Sequence, residues 1–491
     1  MIVSGLLIGS LMSVSAATAT TTQMLREQDG PTGASRAWTS DDPAIARARQ
    51  LLLRGELAQA QQLLSGASDA ASDQIAEMLD LIRRFRLEYN LTETQLLERL
   101  KGQIRDVTAG DIARWRDAGQ LQHRLLDGQA MYFRREPANL FRFCPEAIAR
   151  RTPQPQQDPQ DWKLADHLAR VIAEAGHSRD VEVTPIRHRI TYTLTVPGSA
   201  RGAKRGSLLR VWLPFAQEYR QQKNVTLLST NPPATSICPN GWPHRTIYFE
   251  HTIDDPTRPV EFTAVFEYVS YAYYPDLRDQ DARPLPADFG EQYLGERPPH
   301  IVFTAELRKT LAEIVGNETN PLAKARRIFH WIDANIRYCA EEEYCLIPSF
   351  TIKALSTRRG DCGIQSILFI TMCRAAGIPA RWQSGWETKP VGWNMHDWAE
   401  FYVHPWGWLP ADVSYGLQKS DDPAIREFYF GHQDSYRLIT NLDYGRELVP
   451  AKRWLRSEPA DFQRGEVELD GRNLYFDEWD YDFKFQQWAG Q

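Results

Sequence analysis

The sequence is poor in cysteine, with six in 491 residues: Cys144, Cys238, Cys339, Cys345, Cys362 and Cys373. That is too few for a disulfide-stapled scaffold at this length, and no two are spaced C-x-x-C, which argues against a structural zinc site of the usual kind. In an oxidising compartment Cys339 and Cys345 are near enough in sequence for a local bridge, geometry permitting. For Cys144 and Cys238, free thiols and a long-range bridge stay equally open. Net positive charge is also missing: 57 Lys+Arg stand against 63 Asp+Glu, for a net −6. A chain without a concentrated basic face is not expected to take nucleic acid or an anionic membrane as its main partner. No stretch past the N-terminus approaches 18 uninterrupted apolar residues, so no transmembrane segment is expected. The first 25 residues carry no charged side chain. Within them residues 3–14 form a short apolar run, and Val14-Ser15-Ala16 and Ala17-Thr18-Ala19 fit an A-x-A-like cleavage site. Residues 1–19 are therefore expected to be a signal peptide, lacking only the basic n-region, and the mature chain to be secreted, periplasmic or at the cell surface.

What is present is ordinary for a globular protein, 42% hydrophobic and 24% charged, with length for about three domains. Residues 40–150 read as a helical domain. Ile45, Ala48 and Leu52 share one helix face, and Leu57, Ala60 and Leu64 repeat the spacing after Gly55. Thr92 and Thr108 are N-cap signals. The run Leu125-Leu126-Asp127-Gly128-Gln129-Ala130 reads as a hairpin with a D-G turn. Helix, helix, hairpin is winged-helix order, but expected export and overall acidity favour a structural or protein-contacting role. A Pro/Gln-rich linker follows at 151–159. Residues 180–285 alternate with period two between Pro, Gly and Asn turns, as in Arg189-Ile190-Thr191-Tyr192-Thr193-Leu194, and predict an antiparallel β-sandwich. A further helix is expected from Ala305 to about Val315, and another opened by Asn320-Pro321 and running to Asn335.

Chemistry concentrates in Arg359-Gly360-Asp361-Cys362-Gly363-Ile364. Cys362 falls in the first turn of an apolar helix that ends at Gly377, where unpaired N–H groups and the dipole favour thiolate and lower the thiol pKa. Cys373, in mid-helix, reads as inert packing. A nucleophile needs a base, and the base an orienting group. His396 stands at the start of one predicted strand, 34 residues on, and Asp412 at the end of the next, another 16 on. Adjacent antiparallel strands place those ends side by side. Asp397 and Glu400 read as strand-surface carboxylates. Trp393, in the turn before His396, is a candidate wall of a substrate groove. The acidic run Asp477-Glu478-Trp479-Asp480-Tyr481-Asp482 lacks the spacing and glycine of an EF-hand loop, and no metal or cofactor is expected.

Three blocks, Gly360-Asp361-Cys362 with a helix ending in Gly377-Ile378-Pro379-Ala380-Arg381, then His396-Asp397-Trp398-Ala399-Glu400, then Trp408-Leu409-Pro410-Ala411-Asp412, resemble the transglutaminase-like superfamily of papain-related thiol enzymes. The resemblance covers roughly 300–440, with weaker cover of 180–290. It implies an α+β fold: a papain-like core with a buried nucleophile helix against an antiparallel sheet at 300–440, preceded by the sandwich and the helical domain, with 441–491 adding strands against the core. It implies Cys362 as nucleophile, His396 as general base and acid, and Asp412 as the group orienting the imidazole. The Cys362 N–H is expected as one oxyanion donor, with Tyr338 and Ser356 as the candidates for a second. The expected activity is attack on a peptide, protein or cell-wall amide through a thioester, ending in hydrolysis. The alternatives are cross-linking by transfer to an amine, and a non-catalytic binding or scaffold protein that keeps the fold.

Overall fold

A computed structural model of the chain describes Trp38 and residues 40–66, 72–153, 162–287 and 289–489. The expected signal peptide and most of the 151–159 linker lie outside them.

Side-chain caps start the N-terminal helices. Asp42 accepts from the N–H groups of Ala44 and Ile45 ahead of the helix Pro43–Leu53, and Thr92 and Thr108 each close a capping box, with Gln95 and Asp111. Their apolar stripes fill two cores, one around Ile45, Leu52, Leu81 and Phe85, the other around Leu96, Ile112 and Trp115. Strands β1 (His123–Leu126) and β2 (Gln129–Tyr132) form the hairpin, turning on Asp127 and Gly128. Both turn residues have positive φ, as a type I′ turn requires. Two short helices, Glu136–Phe143 and Pro145–Ala149, extend the domain past its winged-helix-like end.

The sandwich is built from β3 (Glu182–Val196), β4 (Leu208–Pro214), β5 (Gln222–Asn231), β6 (Ser236–Ile237), β7 (Thr246–Thr252) and β8 (Val260–Tyr273). The central unit follows. It holds the helices Ala305–Val315, Pro321–Asn335 and Phe350–Thr357, the short strands β9 (Arg337–Tyr338) and β10 (Arg359–Gly360), the buried helix Cys362–Ala375, and the strands β11 (Ala380–Lys389), β12 (Gly392–Val403), β13 (Gly407–Ala411) and β14 (Arg437–Asn441). Its sheet runs β13-β12-β11-β14, all antiparallel. The helix Cys362–Ala375 is enclosed from Cys362 to Arg374, apolar on most faces because the sheet covers one side and helices the others; Phe369 meets Phe401 of β12 edge-on at 5.7 Å.

For the C-terminal segment the sequence predicts strands packed against the core; its strands hydrogen-bond into the sandwich rather than into the central sheet. Strands β15 (Glu466–Leu469), β16 (Arg472–Leu474) and β17 (Asp480–Ala489) complete the sandwich, whose sheets run β16-β15-β4-β7-β6 and β17-β3-β8-β5. Strand β17 pairs with β3 along its whole length and sends Phe483 into the sandwich core. The segment still packs against the central unit: Phe483 of β17 stacks on Trp386 of β11 at 4.3 Å, and in the loop before these strands Arg297 bonds Asp443 at 3.0 Å. All six cysteines are free, so the Cys339–Cys345 bridge does not form; the Cys339 thiol donates to Glu341 at 3.2 Å instead.

Candidate active site

Asp361 caps the buried helix, accepting from the Ile364 N–H at 3.1 Å, which sets Cys362 in the first turn. Parallel pairing of β9 with β10 places Tyr338 opposite Gly360, and both Tyr338 and Cys362 line a cavity of about 140 Å³. The segment after β9 brings in Tyr344, whose hydroxyl lies 2.9 Å from Asp397 Oδ2 and 3.1 Å from Asp361 Oδ1. Gly363 makes that approach possible: a Cβ there would sit 2.1 Å from the Tyr344 oxygen and 2.9 Å from Asp397 Oδ2.

The Cys362 thiol donates to Asp397 Oδ2 at 3.3 Å. Gln463 Nε2 holds the other carboxyl oxygen at 2.8 Å. Burial, and then the Asp397 and Asp361 carboxyls, push the thiol well above its usual range. The lowered thiol pKa expected from the helix N-terminus is therefore overturned: desolvation disfavours the charged thiolate, and nearby acids add to the penalty. Asp361 is itself pushed up to about 7 by burial and by Glu341, and Asp397 well above the carboxylate range by burial, Asp461 and Asp361.

His396 and Asp412 do meet. Nε2 lies 2.6 Å from Asp412 Oδ2; the same oxygen accepts from Arg437 Nη2 at 2.9 Å, and Oδ1 accepts from the Ser414 hydroxyl at 3.1 Å and the Tyr415 N–H at 3.2 Å. With the carboxylate accepting the Nε2 proton, Nδ1 carries the lone pair. His396 is interior to β12, not at its start, and strand alternation decides its neighbours. Trp398 and Glu400 share its face, bonded to Gln383 and Arg381 at 2.8 and 2.9 Å. Asp397, Ala399 and Phe401 take the other, where the last two join the buried helix in one core. The structure thus joins His396 to Asp412 and Cys362 to Asp397; among the described residues no hydrogen bond links Cys362 to His396.

Neither Asp397 nor Glu400 is on the surface, at 2% and 0% exposure. Their place in the period-two pattern carried that signal: Asp397 alternates with residues that face the helix. Tyr344, Asp461 and Gln463, which complete the surroundings of the thiol, had no local signature. Trp393 is 40% exposed, packs on Trp386 and Phe483 at 5.2 and 5.4 Å, and does not line the cavity at Cys362. Ser356 faces solvent, its hydroxyl on the Lys353 carbonyl at 3.2 Å.

This buried helix with a cysteine in its first turn, packed on a sheet that carries a His–Asp pair, falls in a stretch that matches the model of the transglutaminase-like superfamily, residues 308–413. Residues 308–413 are a transglutaminase-like domain. A Haemophilus influenzae protein described as uncharacterized is 26% identical over 330 residues, covering 58% of this chain and 86% of that one. Among solved structures, "a Putative Cysteine Protease from Cytophaga hutchinsonii" has a TM-score of 0.41 at 14% identity, over 63% of this chain and 92% of that one. The periplasmic domain of TgpA from Pseudomonas aeruginosa has a TM-score of 0.25 at 17% identity, over 50% and 91%. No described helix is long and apolar enough to cross a membrane.

Proposed function

We propose that the chain is an exported thiol enzyme that hydrolyses amide bonds in peptides, proteins or cell-wall material, with Cys362 as nucleophile, His396 as general base and acid, and Asp412 orienting the imidazole. The observation that carries this reading is the buried His396–Asp412 pair at 2.6 Å, fixed by Arg437 in the same small domain as a cysteine that opens onto a cavity. A buried charged cluster is costly to fold, and here it fixes one imidazole tautomer.

The reaction needs the thiol to leave Asp397 and the imidazole, which takes the opposite face of β12, to turn toward it, a rearrangement that substrate binding would have to drive. The thiol proton passes to His396 Nδ1 and the sulfur attacks the amide carbonyl carbon. The oxyanion takes a hydrogen bond from the Cys362 N–H, with the Tyr338 hydroxyl as the candidate second donor. The C–N bond breaks and the amine leaves with the imidazolium proton. Water then gives a proton to His396 as its oxygen attacks the thioester; the C–S bond breaks, the carboxylic acid leaves and the thiol recovers its proton. An amine in place of that water gives transfer.

Turnover of a panel of peptide and cell-wall amides tests this. Cys362→Ala should abolish cleavage, and His396→Gln and Asp412→Asn should lower kcat roughly 10³- to 10⁴-fold; an added primary amine that is incorporated into product instead marks transfer. Cleavage indifferent to these substitutions contradicts the reading. The bond from the thiol to Asp397, with a pKa pushed upward, favours a second reading, a binding protein without turnover. That reading predicts tight binding of an amide and no cleavage by the unmodified chain.

A further inference from the structure

The outer face of the sheet β17-β3-β8-β5 holds a cavity of about 630 Å³, and none of the residues lining it lines the cavity at Cys362. Strand alternation puts Arg187 and Arg189 of β3, Glu267 and Tyr271 of β8 and Trp488 of β17 on this face, while His188 and Ile190 turn into the interior. Pairing sets Trp488 opposite Arg187, and Arg189 opposite Glu267. Both guanidiniums lean on the one carboxylate: Arg187 Nε lies 3.1 Å from Oε2 and Arg189 Nε 2.6 Å from Oε1. Two positive charges therefore stand against one negative charge on the cavity wall, in a chain whose net charge is −6. Lys223 beside them is paired with Glu182 and does not change that balance. The Nη1 of each guanidinium makes no hydrogen bond to a described residue, so each fork keeps an unfilled donor. Trp488 is 44% exposed with Arg189 5.5 Å from its ring, a large aromatic surface left in water beside a cationic one.

We propose that this face docks a carboxylate-bearing glycan, with a sugar ring laid on Trp488 and its carboxylate on Arg187 and Arg189. The proposal stands apart from the thiol chemistry: it concerns what the sandwich holds, not what Cys362 cleaves. A guanidinium fork matches a carboxylate in shape and charge, and the surplus on the wall has room for one more anion than Glu267 supplies. The indole offers a flat apolar surface to the C–H face of a sugar ring. Asn224 and Thr226 of β5 add an amide and a hydroxyl to the cavity wall, partners for the ring hydroxyls. An acidic peptide fits less well. Strands β3 and β8 are paired on both sides, so the floor presents no free row of backbone N–H and C=O, the groups through which an extended peptide joins a sheet. Only side chains read the ligand here, and they are aromatic, amide, hydroxyl and guanidinium. The volume falls in the range of about 300–1,000 Å³ found for ligand clefts, more than a lone anion needs.

Isothermal titration of the full chain tests this with tetragalacturonate, a hyaluronan tetrasaccharide, neutral maltotetraose and tetraglutamate. At least one of the two uronate probes should bind about 10-fold or more tighter than maltotetraose and tetraglutamate, the scale of one charge-assisted hydrogen bond, and should weaken as salt is raised. Trp488→Ala and Arg187→Gln should each weaken that binding by about 10-fold. Trp488 is exposed and outside the sandwich core, so Trp488→Ala keeps the test sound should Arg187→Gln disturb the fold around Glu267. No binding of either uronate probe overturns the proposal. Equal binding of tetraglutamate overturns it too, marking an acidic-peptide surface, and equal binding of maltotetraose does so by leaving the guanidiniums without a role. Uronate binding indifferent to both substitutions places the site elsewhere and likewise overturns it.

Discussion

Glu136 is buried, and burial, only partly offset by the Gln122 backbone and Arg359, pushes its pKa from 4.5 up to about 8. A folded-state pKa above the unfolded one means that the native chain keeps a proton the unfolded chain loses. Its contribution is fully present below about pH 4.5 and is lost as pH rises through about 8. Glu136→Gln, which stays neutral, should therefore gain on the unmodified protein between pH 5 and pH 9, by roughly 4 kcal/mol; urea unfolding at the two pH values reads it. An equal difference at both would mean that Glu136 is ionised in the fold. At this scale the sequence showed Cys362, His396 and Asp412 because each stands in a short motif. It did not show that the thiol is held protonated, because Asp397 reaches it from strand β12 and Asp461, from a distant loop, acts on Asp397.

Among elements, the buried helix Cys362–Ala375 depends on what is allowed to touch its first turn. With Gly363 replaced by Ala, the new Cβ would stand 2.1 Å from the Tyr344 oxygen, and Tyr344 must withdraw. Gly363→Ala should cost about 1–3 kcal/mol, part of it recovered in the double variant with Tyr344→Ala; a thermal-melt cycle measures the coupling, and strict additivity would contradict the contact. Helices were the legible elements. Asn320-Pro321 and Thr304 start theirs where local capping chemistry puts them, and the period-two runs gave the sandwich strands. Pairing was less legible, since β17 finds β3 across nearly 300 residues and nothing local distinguishes that partner from the sheet of the central unit.

Across the whole molecule, the helical domain reaches the active site through Arg135, which lines the cavity itself, and through residues 340–346. The Tyr89 hydroxyl donates to Glu342 at 2.6 Å and Arg134 to Glu343 at 3.0 Å, while Cys345 and Leu346 enter that domain's core; Tyr344 lies between these anchors, over Cys362. Burial opposes ionisation of both acids, but Lys353 and Arg124 around Glu342 and Arg464, Arg135 and Arg134 around Glu343 hold each at about 2. These folded values lie below the unfolded ones, so the stabilisation is present above about pH 4.5 and lost as pH falls toward 2. Glu343→Gln should raise amide hydrogen exchange in residues 339–346 by about 10-fold or more and slow turnover, whereas unchanged exchange would separate the helical domain from the site. The function of that domain was not legible from its winged-helix-like order, because its contacts to the site are single side chains on an otherwise ordinary helical surface. The central claim is that Cys362 is acylated by an amide substrate. Acid quench of the protein during turnover of an amide mixture, followed by peptide mass spectrometry, tests it most directly. The account predicts an acyl adduct on the Cys362 peptide, absent from Cys362→Ala and lost on treatment with hydroxylamine. An unmodified Cys362 beside accumulating cleavage products would contradict it.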